Sequence, residues 1–452
     1  MDLKRDIYNE LLKWKTANSG HVLEIRGARQ VGKTYILDKF AKENYSKYIY
    51  INMTNTTGRQ FLECWHKVNE WEPGTPRREH PIHDAFMMYD ESFVDDKETI
   101  IVIDEIQESP EVYSLIRPLA REFKTHFIIT GSYLGKTLSK EYFQPVGDLD
   151  IFTMYSLSFA EFADAFGKRE LYETIDLYGK SSHAQYEELK GLYEIYITIG
   201  GYPSVVTRYL ETKDIKTAKE ELRRILSIFI DESEHHFKNA MEMNIFEDTF
   251  PAIALTMLKE KKGSSDLIDE LSTVIKRDDT TNITKASISR AISWLYRSKI
   301  IGYCNQMIEC NPSDIAFNRR FYFMDLGICR MFIDMVSPDE SSVKGIINEN
   351  FVYLDILRRI DNMDISAYSP TFGTYKNGEI DFIVRMAYKN YAIEVKSGKG
   401  ASKTARQVLA DHKVEAVYFL KGDTYGGIEG DMITVPVYLA GRVRYNHVKK
   451  DK

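Results

Sequence analysis

The stretch from His21 to Asn44, HVLEIR followed by GARQVGKT and YILDKFAKEN, decides the fold. Its first six residues are a short β-type run and its last ten have helix-forming composition, with glycines at Gly27 and Gly32 in the loop between them. Strand, glycine loop and helix in that order make a phosphate cradle. Glycines let successive backbone N–H groups point at one anion, and the helix N-terminus adds favourable partial charge. Gly27, Ala28, Arg29, Gln30, Val31, Gly32, Lys33 and Thr34 fit G-x-x-x-x-G-K-[ST] in full. In that geometry Lys33 reaches the β- and γ-phosphates and Thr34 supplies a hydroxyl to magnesium, so the expected ligands are ATP and Mg2+.

The next apolar run, TIIVIDE from Thr99 to Glu105, is continuous, as expected for a central parallel strand buried on both faces. It ends in two acids. Asp104 is expected to hold the magnesium hydration shell, and Glu105 to orient and deprotonate the attacking water. A further run, HFIIT (His126 to Thr130), leads into Gly131 and Ser132, and either Thr130 or Ser132 fits the role of a γ-phosphate sensor, with Ser132 preferred because it lies past the strand end. With KYIYINM (Lys47 to Met53) and DIFTMYSL (Asp150 to Leu157), five strands alternate with helical segments, which predicts a parallel α/β sheet.

These motifs resemble those of an AAA-type P-loop ATPase of the archaeal and bacterial single-chain class, in which a GxRQVGKT loop, a strand ending in DE and a strand ending in TGS recur. SFAEF (Ser158 to Phe162) and IGGYPSVV (Ile199 to Val206) look like that family's helical lid. The resemblance runs to the C-terminus and implies an ATPase core over 1–160, a helical lid over 161–240, a winged helix over 241–340 and a terminal domain over 341–452. That last domain is implied to be a small α/β unit like restriction endonucleases and Holliday-junction resolvases. One departure stands out: where the family usually carries Gly-Arg before the fifth strand, this chain has Gly147-Asp148, and no arginine lies between Ser132 and Asp148. A cation at the γ-phosphate is worth about 10³–10⁵ in rate, so Arg117, Arg121 or Arg208 would have to substitute.

In the middle of the chain, TKASISRAISWLYRSKIIGY places Ile288, Ala291, Ile292, Leu295 and Tyr296 at helical spacing and resembles a winged-helix recognition helix. YCNQMIEC and RRFYFMD would form its wing. Arg290, Arg297 and Lys299 are available for phosphates, yet no cluster suited to reading bases accompanies them, so a protein-contact surface is the alternative.

Further on, GIINENFVYLDILRR (Gly345 to Arg359) reads as an amphipathic helix. After it come expected strands ISAYSP, EIDFIVRM and YAIEVKSG, a helix SKTARQVLADHKV and a strand VYFL. Glu394 and Lys396 are two residues apart on one strand and so share a face, with Asp381 expected from the neighbouring strand and Glu349 from the helix. Carboxylates in such a set suit a second Mg2+ or Mn2+ with Asp381, Glu394 and Glu349 as ligands, and Lys396 beside them can activate a water. Alternating charges on a half-exposed strand are also commonplace; the set as a whole, in this element order, carries the reading.

At 452 residues the chain is long enough for three or four units, and 43% apolar with 28% charged residues is ordinary globular composition. No apolar run approaches the ~20 residues of a membrane helix, and Met1 to Trp14 has no signal-peptide core, so a cytosolic protein without a membrane partner is expected. Cys64, Cys304, Cys310 and Cys329 form no zinc pattern and read as reduced and packed. From Ser342 onward there are 17 Lys+Arg against 13 Asp+Glu, a surplus of four. The net charge of −7 then leaves −11 on the preceding residues, so a phosphate backbone finds its most favourable field in the terminal part. Together these features predict an ATPase whose nucleotide state controls a DNA-facing winged-helix and nuclease-like module. The alternative is a slowly hydrolysing switch or scaffold whose nuclease-like domain is degenerate and binds a protein partner.

Overall fold

The computed structural model describes residues 2–70, 78–132, 147–237, 244–259, 267–275, 283–337, 339–396 and 402–446. Among these, no helix is long and apolar enough to cross a membrane. The chain forms two compact units, one of residues 5–155 and one of residues 156 onward that also takes in the first four.

In the first unit, α1 (Ile7–Ala17) precedes β1 (Val22–Arg26), α2 (Lys33–Asn44), β2 (Lys47–Asn52), α3 (Thr56–Asn69) and α4 (Pro81–Tyr89). Then come β3 (Thr99–Asp104), α5 (Pro110–Ser114), α6 (Ile116–Glu122), β4 (His126–Thr130) and β5 (Leu149–Thr153). The five strands are parallel in the order β2-β3-β4-β1-β5, as the alternating pattern predicted. Every residue of β3 and β4 is buried, which a parallel sheet covered on both faces requires. On one face Ile101, Ile103, Phe127 and Ile129 pack with Phe61, Phe86 and Phe93 in a single apolar cluster. Side chains alternate along a strand, so Ile100, Val102 and Ile128, equally buried, serve the opposite face. Because β4 lies between β1 and β3, the loop after β1, the acids ending β3 and the residues after β4 all gather at one edge.

The second unit begins with α7 (Phe159–Ala165), α8 (Arg169–Thr174), α9 (His183–Ile199), α10 (Pro203–Thr212) and α11 (Ile215–Phe237). Gly200 and Gly201 are required there by close approach. A β-carbon on Gly200 would stand 2.2 Å from an Asp325 carboxylate oxygen, and one on Gly201 2.4 Å from the Leu157 carbonyl oxygen. Asp325 caps a later helix by accepting from the N–H groups of Gly327 and Ile328, and it also accepts from the N–H of Gly201 at 2.9 Å. The glycine-rich turn is thus tied into the fold of this unit.

The chain continues with α12 (Ile245–Lys259), α13 (Leu267–Ile275), α14 (Lys285–Arg297), β6 (Ile301–Met307), β7 (Ile315–Phe323), α15 (Leu326–Val336) and α16 (Glu340–Asp361). It ends with β8 (Thr371–Tyr375), β9 (Gly378–Met386), β10 (Lys389–Lys396), α17 (Lys403–Ala410), β11 (Ala416–Lys421), β12 (Gly427–Glu429) and β13 (Met432–Pro436). Helix, three strands, helix and strand follow in the expected order, but the first of those strands is Thr371–Tyr375 and not ISAYSP. Pro370 ends that segment and has no N–H for a ladder, and Tyr368 stands fully exposed.

Among the described residues, the sheet of this unit has eight strands in the order β12-β13-β11-β10-β9-β8-β6-β7. The hairpin of β6 and β7, read from sequence as a wing, is therefore joined to the terminal strands, with Asn305, Gln306 and Met307 pairing in parallel with Thr371, Phe372 and Gly373. Pairing across residue 340 makes this hairpin part of the terminal sheet. The segment between Ser132 and Gly147, on which the missing arginine rests, and the Lys-rich end from Lys449 lie outside the described residues.

Candidate nucleotide site and terminal acidic cluster

The loop from Gly27 to Gly32 is held by specific contacts. A β-carbon on Gly27 would lie 2.3 Å from the Met154 carbonyl oxygen, and Gly32 and Gln30 take left-handed backbone conformations with φ of 95° and 63°. Buried Arg5, which sequence reasoning passed over, donates to the carbonyls of Val31 at 2.8 Å and Tyr155 at 2.6 Å and so braces the loop from outside.

Lys33 opens α2. Its Nζ donates to the carbonyls of Gly27 (3.0 Å) and Ala28 (2.9 Å) and reaches Ser132 Oγ at 3.4 Å. Burial lowers its pKa to about 8, while Glu105 and Asp104 pull the other way. Thr34 Oγ1 donates to Asp104 Oδ2 at 2.8 Å, and the Tyr50 hydroxyl donates to the same oxygen at 2.7 Å. Asp104 Oδ1 accepts the backbone N–H of Glu105 at 2.8 Å.

Glu105 sits at φ 52°, ψ 43°, a left-handed conformation that costs a non-glycine residue about 1–3 kcal/mol. Its carboxylate accepts from Gln107 Nε2 at 2.6 Å and from both the backbone N–H and the hydroxyl of Ser132 at 3.2 Å. Of the two sensor candidates, Ser132 therefore joins Lys33 and Glu105, whereas the Thr130 hydroxyl donates to the Ile25 carbonyl at 3.0 Å inside the sheet. The two residues share strand parity, so the difference arises because the chain leaves β4 after Thr130, which composition does not reveal.

Thr34 and Asp104 offer hard oxygen donors side by side at a helix N-terminus. That set suits Mg2+, which commonly takes one or two protein oxygens and completes its shell with water and phosphate.

Residues 19–163 match the family model described as an AAA domain. The chain carries an AAA-type P-loop ATPase domain. The matched stretch contains the whole constellation from Gly27 to Ser132 and ends before α14 and the terminal sheet. No curated protein matches the sequence. Among solved structures, a Walker-type ATPase of Pyrococcus abyssi is similar at 16% identity and TM-score 0.43, over 73% of this chain and 96% of its own. The ORC2 protein of Aeropyrum pernix, in its ADPNP and ADP complexes, is similar at 13% identity and TM-score 0.34, over 75% of this chain and 92% of its own. The ORC1 protein of the same organism, in complex with DNA, is similar at 13% identity and TM-score 0.27, over 77% of this chain and 94% of its own.

In the ATPase domain Asp148 accepts from Arg121 Nε at 2.8 Å and Arg117 Nε at 3.1 Å, and Arg121 before Arg117 holds its carboxyl below the usual range. The parallel pairing of Val22 with Leu149 puts Asp148 at the edge where β1 begins. The loop lies where β1 ends, five residues and roughly 17 Å further along. Arg117 and Arg121 are thus committed to the opposite edge of the sheet and do not supply the expected cation to their own nucleotide site.

The terminal set also gathers. Lys396 Nζ lies 2.7 Å from Glu394 and 3.7 Å from Asp381. Asp381 accepts the backbone N–H of Val395 at 2.7 Å, and Glu394 accepts the Ser402 hydroxyl at 2.9 Å. Glu349 accepts the Tyr322 hydroxyl at 2.7 Å and has Arg320 at 3.7 Å, while Arg320 also donates to Glu379 at 2.8 Å and lies over the Phe372 ring. Burial first and Asp381 second raise the pKa of both Glu349 and Glu394 to about 7. Burial works against the charge of Lys396, but Asp381 and Glu394 outweigh it and raise its pKa.

Arg320 and Tyr322 were missed from sequence because RRFYFMD read as a wing, and Glu379, on the expected strand EIDFIVRM, was passed over in favour of Asp381. Beside them, a cavity of about 30 Å³ lined by Met257, Arg320, Tyr322, Ile346 and Glu349 has room for a single water. Among the described residues, no three His, Cys, Asp or Glu side chains are arranged to hold a metal ion. The carboxylate chemistry suits a divalent cation, but the arrangement of the acids, with Lys396 and Arg320 already between them, does not fit one.

Proposed function

We propose that this protein is a Mg2+-dependent ATPase whose nucleotide state controls a DNA-facing module built from the α14 region and the terminal sheet. The observation that carries the proposal is the convergence of Lys33, Thr34, Asp104, Glu105 and Ser132 at one edge of a parallel sheet. Lys33 exchanges backbone carbonyls for β- and γ-phosphate oxygens, and those anions favour its charged form. Glu105 takes the proton of the attacking water, and Ser132 links that carboxylate to Lys33. Mg2+ bound at Thr34 and Asp104 supplies neutralisation of the phosphate charge.

A second reading, a slow ATP switch presenting a degenerate nuclease-like domain to a protein partner, is favoured by two observations. Arg117 and Arg121 are bound to Asp148, and the terminal acids are paired with Arg320 and Lys396. ATP turnover measured with and without duplex, single-stranded and branched DNA separates the two: stimulation by any DNA supports the first, and indifference to all supports the second. Parent and Glu394→Ala proteins incubated with the same DNAs in Mg2+ and in chelator complete the test. Metal-dependent cleavage lost in the variant means an active nuclease, and no cleavage by the parent means a binding module.

A further inference from the structure

We propose that Tyr50 is a positioning residue of the nucleotide site, whose hydroxyl fixes the Asp104 carboxylate for the hydrated divalent cation that accompanies the nucleotide. The inference rests on the ATPase reading and assigns a role to a residue that the motif does not contain.

Tyr50 lies on β2, the strand hydrogen-bonded to β3, with Tyr50 opposite Val102 and Asn52 opposite Asp104. Its ring runs two residues along the strand so that the hydroxyl reaches Asp104 Oδ2 at 2.7 Å. The same hydroxyl oxygen accepts from Asn52 Nδ2 at 3.2 Å. A phenol has one proton to give, and with Asn52 donating to its oxygen that proton is directed at the carboxylate. Asp104 Oδ1 is held by the N–H of Glu105, and Oδ2 by Thr34 and Tyr50.

The χ2 torsion of an aspartate is broad, so a lone carboxylate would sample many planes. Donors from the chain on one side and from β2 on the other select one. Of these, Thr34 is itself a cation ligand in the proposed site, which leaves the Glu105 N–H and Tyr50 as the fixed outer partners. Outer partners of this kind change metal affinity by about 10–100-fold when removed. Tyr48 is a control built into the same strand. It lies two residues away, with its ring 6.4 Å from that of Tyr50, but its hydroxyl bonds Asp38 and meets Asp104 only through the longer-range field.

The test is calorimetric binding of a non-hydrolysable ATP analogue to the full chain, in chelator and across a Mg2+ series, for parent, Tyr50→Phe and Tyr48→Phe, with thermal melting alongside. Tyr50→Phe is expected to need about tenfold more Mg2+ for the same analogue affinity, to bind the analogue like the parent in chelator, and to recover at high Mg2+. Tyr48→Phe is expected to follow the parent throughout. A parental Mg2+ dependence in Tyr50→Phe overturns the assignment, and so does an equal loss of affinity with and without Mg2+, which would mark Tyr50 as a packing residue. If the parent itself fails to bind the analogue under every condition, the ATPase reading falls and this inference falls with it.

Discussion

The nucleotide site and the terminal acidic cluster both bring a lysine among carboxylates, yet they satisfy their charges in opposite ways. At the first, Lys33 donates to two backbone carbonyls and a hydroxyl, and among the described residues Asp104 and Glu105 accept from hydroxyls, a side-chain amide and two backbone N–H groups. At the second, Lys396 is paired with Glu394, and Arg320 joins Glu379 and faces Glu349, so the acids hold permanent cationic partners. Neutral partners can be exchanged for phosphate and Mg2+ at little electrostatic cost. A buried ion pair resists exchange, because taking one member away leaves the other desolvated. Residues of the same types thus keep neutral, exchangeable partners in one place and fixed ionic partners in the other.

The largest effect expected from that contrast is functional. Lys33→Ala should weaken ATP binding and stop hydrolysis, a loss of at least about 100-fold in turnover, while leaving the melting temperature close to that of the parent. Binding by calorimetry and a thermal melt check both halves, and unchanged ATP binding would remove the phosphate assignment. The reverse pattern is expected at the other cluster. Arg320→Met leaves Glu349 and Glu379 without their buried cation and should cost about 3–5 kcal/mol in denaturant unfolding of that unit, with ATP turnover in the absence of DNA unchanged. A loss below about 1 kcal/mol would show the pair to be dispensable.

A smaller effect concerns pH. Burial raises the folded pKa of Glu349 and Glu394 to about 7, above the ordinary range of a glutamate. Groups shifted in that direction contribute stability that is complete below their unfolded pKa and is lost as pH rises through the folded one. In chelator, the unit holding the cluster should therefore melt a few degrees higher at pH 5 than at pH 8, and Glu394→Gln should flatten the slope. A melting temperature in the parent that rises over this window would contradict the shift.

Much of the first unit was legible because its signals are local. The loop from Gly27 to Thr34 fixes a strand and a helix by itself, and the unbroken apolar runs of β3 and β4 announce strands covered on both faces. The acids that end β3 were read as a pair with distinct roles, and the structure gives them distinct partners. Long-range pairing left no such trace. The β6–β7 hairpin was read as the wing of a separate unit, and nothing in YCNQMIEC reveals that Asn305 will pair with Thr371, some 66 positions on. Arg320 and Tyr322 were hidden by the same long-range pairing. Tyr50 was not singled out within the expected strand KYIYINM, since a strand pattern tells which face a residue takes and not which atom its hydroxyl will meet. The choice between Thr130 and Ser132 turned on the direction of a side chain where the strand stops.

The most direct test of the central claim is single-turnover ATP hydrolysis in Mg2+ by the parent and by Glu105→Gln, with nucleotide binding measured in parallel. Glu105→Gln keeps the shape of the side chain and removes the base, so it should bind ATP as the parent does and hydrolyse it about 10²–10⁴-fold more slowly. Hydrolysis by the variant at the parent's rate would contradict the account.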